Sequence, residues 1–178
     1  DRAKRLLAEA GYPTGFEVTL DVGNVQPAAD IAQAVASMLA QVGIRVKTNI
    51  VPQSNYFPKI ERFDTSFYVL SWGGGVTSDS LYTLRALLHT PDRKTGAGDF
   101  NMGRWSNAEV DAIVARLQRE ADPAKRTALT GEALKVAARE LPLVPIHQPL
   151  IPWAMRKGVT AWHSPVNTLY FFRARLDP

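Results

Sequence analysis

The sequence predicts an α/β fold, a mostly parallel sheet with helices on both faces. Three observations carry that expectation. Strand-type and helix-type periodicities alternate along the first eighty residues, which implies right-handed crossovers between parallel strands. The third strand segment, residues 66–72, is apolar on both faces, as a central strand covered by helices on each side is. It then stops at Trp72 and runs into Gly73, Gly74 and Gly75. In open α/β sheets such bare backbone at a strand's carboxyl end borders a ligand crevice.

The elements follow in order. Residues 1–10 read as a helix with Leu6, Leu7 and Ala10 on one side, stopped by Gly11 and Pro13. Residues 16–22, Phe-Glu-Val-Thr-Leu-Asp-Val, alternate strictly, the period-2 mark of a half-buried strand. Pro27 stands near the start of a helix whose Ile31, Val35, Met38, Leu39 and Val42 recur at helical spacing, and Gly43 follows as the left-handed residue beyond its end. Ile44, Val46, Thr48 and Ile50 mark a second alternating strand. A short helix over 54–60 precedes the third strand, and another over 80–89 follows the glycines.

Residues 90–104 hold Pro91, Gly96, Gly98 and Gly103 and read as an irregular excursion. Ser106 and Glu109 have the spacing of a capping box, in which serine accepts from an orphan N–H and glutamate reaches back. The helix they open should bury Val110, Ile113, Val114 and Leu117. Asp122-Pro123 is a second helix start, an N-cap followed by proline at the first helical position. That helix presents Leu129, Ala133, Val136 and Ala137 and ends before Pro142. Pro145 and Pro149 confine residues 143–151 to an edge or crossing segment. Residues 153–155, 159–162 and 170–175 are short strand candidates.

Composition bounds the function. The 178 residues carry 46% hydrophobic and 21% charged side chains, ordinary values for a globular chain with a real core. The net charge of +4 is spread along the chain, so no nucleic-acid partner is expected. The absence of cysteine excludes disulfides and thiolate chemistry. No apolar run approaches the roughly 20 residues of a membrane span. The chain opens inside a helix without a leader, which reads as a piece of a longer protein whose signal sequence lies outside it.

The candidate site begins at the Trp72–Gly75 turn. Backbone N–H groups there, and those entering the helix at Ser80, suit a carboxylate or other anion. The turn is neither a phosphate loop nor a dinucleotide fingerprint, because the required spacings are absent. Asp79 reads as the N-cap of the following helix. Asn101, Arg104 and Trp105 place an amide, a guanidinium and an indole in the excursion, groups that suit a polar organic solute. The alternative is that Trp105 packs on the next helix while Asn101 ties the loop to itself; the sequence leaves both open. His89, His147 and His163 stand far apart, so no metal site and no cofactor is expected. A small serine hydrolase using Ser80 with His89 or His147 is the rival from another class, without a nucleophile elbow to support it. A non-catalytic interaction module is a third reading.

Six collinear segments resemble the family 5 extracellular solute-binding proteins, the oligopeptide, dipeptide and nickel class that serves ABC importers. They are Leu6-Leu-Ala-Glu-Ala-Gly-Tyr-Pro13, Gln41-Val-Gly-Ile-Arg-Val46, Tyr68-Val-Leu-Ser-Trp-Gly73, Gly103-Arg-Trp-Ser-Asn-Ala-Glu-Val-Asp111, Asp122-Pro-Ala-Lys-Arg126 and Leu143-Val-Pro-Ile-His-Gln148. The resemblance implies one lobe of a periplasmic-binding-protein clamp, type II and cluster C-like, without catalytic activity. Residues 1–157 would form part of the C-terminal lobe, and residues 158–178 would recross the hinge to the N-terminal lobe of the same parent protein. It implies export to the periplasm and partners in a solute, peptide-like or otherwise small and polar, and in the importer's permease. The wall of its crevice would comprise Trp72, Gly73, Gly74, Gly75, Asp79, Asn101, Arg104 and Trp105. Peptide-binding members usually carry an aspartate soon after the strand-end tryptophan, to pair with the ligand's α-amine. Here the next carboxylate is Asp79, so a neutral or anionic solute, an amine held by Asp79, or a modified amino acid all stand open.

Overall fold

The two alternating segments form β1 (Glu17–Gly23) and β2 (Arg45–Val51). They pair in parallel, with Val18 opposite Val46 and Val22 opposite Ile50. β3 (Tyr68–Val69) pairs in parallel with the other side of β1, giving the order β2-β1-β3. The computed structural model describes residues 1–73, 79–162, 164 and 168–176. Gly74 and Gly75 of the glycine turn, and His163, lie outside the described residues. By internal packing the chain divides into two units, Asp1–Trp72 and Gly73–Pro178.

In the first unit the sheet is covered on both faces. Leu20 and Val22 project from β1 onto α2 (Ala28–Ala40), where Ala28 and Ala32 are buried and Val35 packs beside them. Met38 of the same helix, expected on its apolar face, is instead exposed. Asp21, between Leu20 and Val22, points to the opposite face. There it meets α3 (Gln53–Glu61): Lys59 Nζ lies 2.7 Å from both carboxylate oxygens, and Asn49 Nδ2 donates to Oδ1 at 2.7 Å. Tyr56 of the same helix is buried and donates to the carbonyl of Val69 at 2.5 Å, and burial pushes its hydroxyl pKa up. α3 therefore holds both β1 and β3.

The sequence expectation of a central third strand is corrected here. β1 is the central strand; β3 has two paired residues and, among the described residues, bonds to β1 alone. Apolarity on both faces reports covering layers above and below a strand, not a ladder on both of its edges. α1 (Arg2–Glu9) forms as expected and closes at Gly11, but buries none of its residues. Where β1 and β2 begin, Gly15 (φ +75) and Gly43 (φ +96) touch backbone to backbone, and a Cβ on Gly15 would lie 1.9 Å from the Gly43 carbonyl oxygen.

In the second unit α4 (Ser80–Thr83) runs directly into a π-helical turn (Leu84–Leu88) that buries Leu84, Ala86, Leu87 and Leu88. α5 (Ala108–Leu117) buries Val110, Ile113, Val114 and Leu117, and α6 (Pro123–Glu140) buries Leu129, Ala133 and Val136, the spacing read from the sequence. α5 packs against both α6 and the π turn. The excursion hangs on that turn through Gly98 N to Arg85 O (2.9 Å) and Phe100 N to Ala86 O (3.0 Å). The capping box shifts by one residue: Asn107, not Ser106, is the N-cap and accepts from Glu109 N and Val110 N. Ser106 instead meets the Thr90 hydroxyl at 2.9 Å. Asp122 caps α6 as expected, accepting from Lys125 N, and Leu141 in the left-handed region ends it.

After α6 the chain is largely irregular and exposed. The strand candidate at 153–155 does not form; β4 (Val159–Thr160) and β5 (Arg175–Leu176) pair antiparallel, with a 3₁₀ turn at Phe171–Arg173. Trp162 stacks on Tyr170 at 5.5 Å between ring centres, and the Arg173 guanidinium lies 4.7 Å over the Trp162 ring.

Two stability predictions follow from the first unit. Burial pushes the Asp21 carboxyl pKa up, but hydrogen bonds from Lys59, Asn49 and Thr65 outweigh that and hold it below the usual carboxylate range. Its stabilising effect is complete above the unfolded value of about 3.9 and fades as pH falls through the lower folded value. D21N should therefore flatten the acid limb of stability measured by urea unfolding between about pH 6 and pH 2; an acid limb identical to that of the parent chain would remove Asp21 from this role. Gly15→Ala should cost about 2–4 kcal/mol by the same assay, through a strained φ and a backbone collision. An unchanged midpoint would mean that the two loops do not meet.

Candidate functional site

Parallel strands present their carboxyl ends along one edge, so Gly23, Val51 and Val69 end on the same side of the three-stranded sheet. Trp72 follows three residues beyond β3, half-buried, and is the last residue of the first unit. Gly73 is exposed, and a Cβ built on it would meet nothing within 4 Å. Indole and open backbone thus adjoin at the edge where open α/β sheets take ligands.

The other sequence-predicted residues belong to the second unit and form two clusters. In one, Asn101 is buried and its amide is fully occupied: Nδ2 donates to His89 O (3.0 Å) and Trp105 O (2.7 Å), while Oδ1 accepts from Trp105 N (3.1 Å). These bonds tie the loop to itself, as one of the two sequence readings has Asn101 do. Arg104 follows with φ +53, its N–H on Asn101 O at 3.0 Å and its side chain exposed. The half-buried Trp105 donates its indole N–H to Glu140 Oε2 at 3.1 Å, at the end of α6. Asn107 donates to the other oxygen of Glu140 at 2.9 Å, and that bond, with those from Arg139 and Trp105, keeps the Glu140 carboxyl below its ordinary pKa. The loop therefore carries the exposed Arg104 and the half-buried Trp105 on a braced backbone.

Asp79 heads the second cluster. As the sequence suggested, it is the N-cap of α4, accepting from Leu81 N at 2.8 Å. It is also gripped by Arg126 of α6, with Nη2 at 2.8 Å from both oxygens and Nε at 3.2 Å. Arg126 Nη1 donates at 2.6 Å to Leu117 O and to Glu120 O, where α5 ends. The Leu81 N–H, with Arg126, holds the Asp79 carboxyl below its usual range.

Sequence reasoning missed Arg126 and Glu140, and a signal for both existed. A helix carries partial positive charge at its N-terminus and negative at its C-terminus. Arg126 in the first turns of α6 and Glu140 in its last turn each oppose that dipole. Charges at the disfavoured end are held there by partners elsewhere.

Among the described residues no group of three or more His, Asp or Glu side chains is arranged to hold a metal ion. His89 Nδ1 lies 2.7 Å from Thr90 O and 3.5 Å from Asp111, and no hydrogen bond joins Ser80 to His89 or His147 among the described residues.

The profile of the bacterial extracellular solute-binding proteins, family 5 Middle, matches residues 1–95, and the chain belongs to this family. Di/tripeptide-binding protein 2 of Pseudomonas aeruginosa is 27% identical over 99% of this chain and 34% of its own length. The glutathione-binding protein GsiB of Escherichia coli K12 is 28% identical over 99% of this chain and 35% of its own. Among solved structures, clavulanic acid biosynthesis oligopeptide binding protein 2 superposes with a TM-score of 0.82 at 22% identity, over 98% of this chain and 33% of that one. HbpA2 of Haemophilus parasuis gives 0.76 at 21% identity, over 99% and 35%. The fold is that of periplasmic binding proteins. The chain spans about a third of the length of the relatives it matches.

Replacing Arg126 by Gln removes a two-pronged ion pair and leaves the carbonyls of Leu117 and Glu120 without their donor. The expected loss is about 2–3 kcal/mol in urea unfolding, with a Lys replacement restoring little, because an ammonium cannot span all three acceptor groups. A loss below about 0.5 kcal/mol would reduce this cluster to an ordinary surface pair.

Proposed function

We propose that the chain is the C-terminal part of a non-catalytic, periplasmic solute receptor of an ABC importer, capturing a peptide-like or other small polar solute. The observation that carries this reading is the aromatic-rich β3 segment ending in Trp72 and open Gly73 at the carboxyl edge of a parallel sheet. Trp72 stacks on or covers the solute, and the backbone from Gly73 through Gly74 and Gly75 donates hydrogen bonds to it. Arg104 fixes an anionic or carbonyl group, and Trp105 supplies a second aromatic face. Asn101 contributes by bracing Trp105.

Asp79 has a different part in this reading. Its oxygens are already engaged by Leu81 N and Arg126, so drawing a ligand ammonium there would disturb the cap of α4. Recognition of a terminal amine is therefore assigned to residues outside this chain, and the solute's carboxylate or carbonyl end to this lobe. The names of the relatives, a di/tripeptide-binding and a glutathione-binding protein, support a peptide-like solute. The opposite wall comes from the N-terminal lobe of the parent protein. Val144, Leu150, Phe171 and Phe172 are 75–97% exposed, which supports a role for residues 143–178 in covering that lobe, with residues 158–178 crossing the hinge. Closure of the two lobes then couples capture to recognition by the permease.

Calorimetric titration of the full-length protein with a panel of di- and tripeptides, glutathione included, tests the proposal. W72A should weaken the best binder by at least about tenfold, roughly 1.4 kcal/mol. An affinity unchanged by W72A would retire the assignment of the crevice, and turnover of any panel member would retire the receptor reading.

A further inference from the structure

In the second unit the ends of α5 and α6 leave an open groove of about 450 Å³. It is lined by Ala115, Ala128 and the buried Leu129 together with Arg116, Arg119, Lys125, Glu120 and Glu132. The charges are unevenly matched. Glu132 faces Arg116 at 3.6 Å, and Glu120 Oε1 accepts from the backbone of Asp122 at 2.9 Å. Asp122 in turn accepts from the backbone of Lys125 at 3.0 Å. The side chains of Arg119 and Lys125 are exposed and have no partner among the described residues. Neither cation contributes to the Arg126 cluster or to the residues assigned to the solute. Both line the groove near the N-terminus of α6, whose dipole adds positive potential.

We propose that this groove docks an acidic segment of a partner protein, one apolar side chain resting on the exposed Ala115 and Ala128 and flanking carboxylates pairing with Arg119 and Lys125. Charge complementarity selects the occupant. Arg119, just beyond the end of α5, and Lys125, in the first turn of α6, have no ion-pair partner among the described residues and suit carboxylates on either side of an apolar residue. An enclosed pocket would bury most of a small ligand; an open groove between helices suits an extended or helical stretch of chain.

The test uses the full-length protein and a labelled probe peptide, acetyl-Glu-Leu-Glu-Ala-amide, followed by fluorescence anisotropy beside its Gln-for-Glu counterpart. The acidic peptide should bind, more weakly as salt rises, and the R119E/K125E double variant should weaken it by about tenfold or more. The milder R119Q/K125Q pair should give an intermediate loss with unchanged circular dichroism, so that misfolding is separated from lost recognition. Solute affinity, measured by calorimetry, should be the same in all forms, which keeps this inference distinct from the crevice assignment. No binding at about 1 mM peptide, equal binding of the neutral peptide, or binding indifferent to both variants overturns it. So does recruitment of the protein to phosphatidylglycerol vesicles through these same two residues.

Discussion

Arg126 is the fixed point of the second unit. One guanidinium closes the N-cap of α4 through Asp79, the end of α5 through Leu117 O and Glu120 O, and anchors the start of α6 on which it rides. Helix ends leave unsatisfied N–H and C=O groups, and a cation that donates to the carbonyls closing one helix and to the carboxylate capping another orients three helices at once. A planar fork with several donors does this where a point charge cannot. Val110, Val114 and Leu117 are buried in α5, which packs on the π turn and α6, but apolar burial is directionless; the guanidinium sets how these helices meet.

The first unit uses a similar device on a sheet. Asp21 is a buried charge in the middle of the central strand, held by Lys59 from α3 and Asn49 from β2. An aspartate flanked by Leu20 and Val22 alternates as a strand requires, so its cost is confined to one face. Lys59 reaches it from a helix whose Tyr56 also bonds the β3 backbone, so the ion pair and the strand pairing reinforce each other. Together they set the edge of the sheet from which Trp72 emerges.

Much of the local structure was legible from residue order because its causes are local. The helical spacing of Val110, Ile113, Val114 and Leu117 named the buried face of α5 correctly, and Asp122-Pro123 marked the start of α6 to the residue. The one-residue shift of the α5 cap from Ser106 to Asn107 shows the limit: two adjacent polar residues can each cap, and Thr90 occupies the first. Of the proposed site, the Trp72–Gly73 turn could be located from chain order alone. The binding state of Asn101 and Asp79 could not, since an amide or carboxylate reads identically whether it faces solvent or is filled by His89 O, Trp105 or Arg126.

The amino-acid order by itself determined where helices and strands begin, which faces are apolar, and the lineage that six collinear motifs mark, because periodicity and capping act over a few residues. Only the tertiary structure decided that β1 and not β3 is central, that α6 sets Arg126 and Glu140 against its own dipole to hold Asp79 and Trp105, and that the side chains of Arg119 and Lys125 have no partner among the described residues. Those outcomes depend on which distant groups arrive at hydrogen-bonding distance, and strand order and helix packing set that, not spacing along the chain.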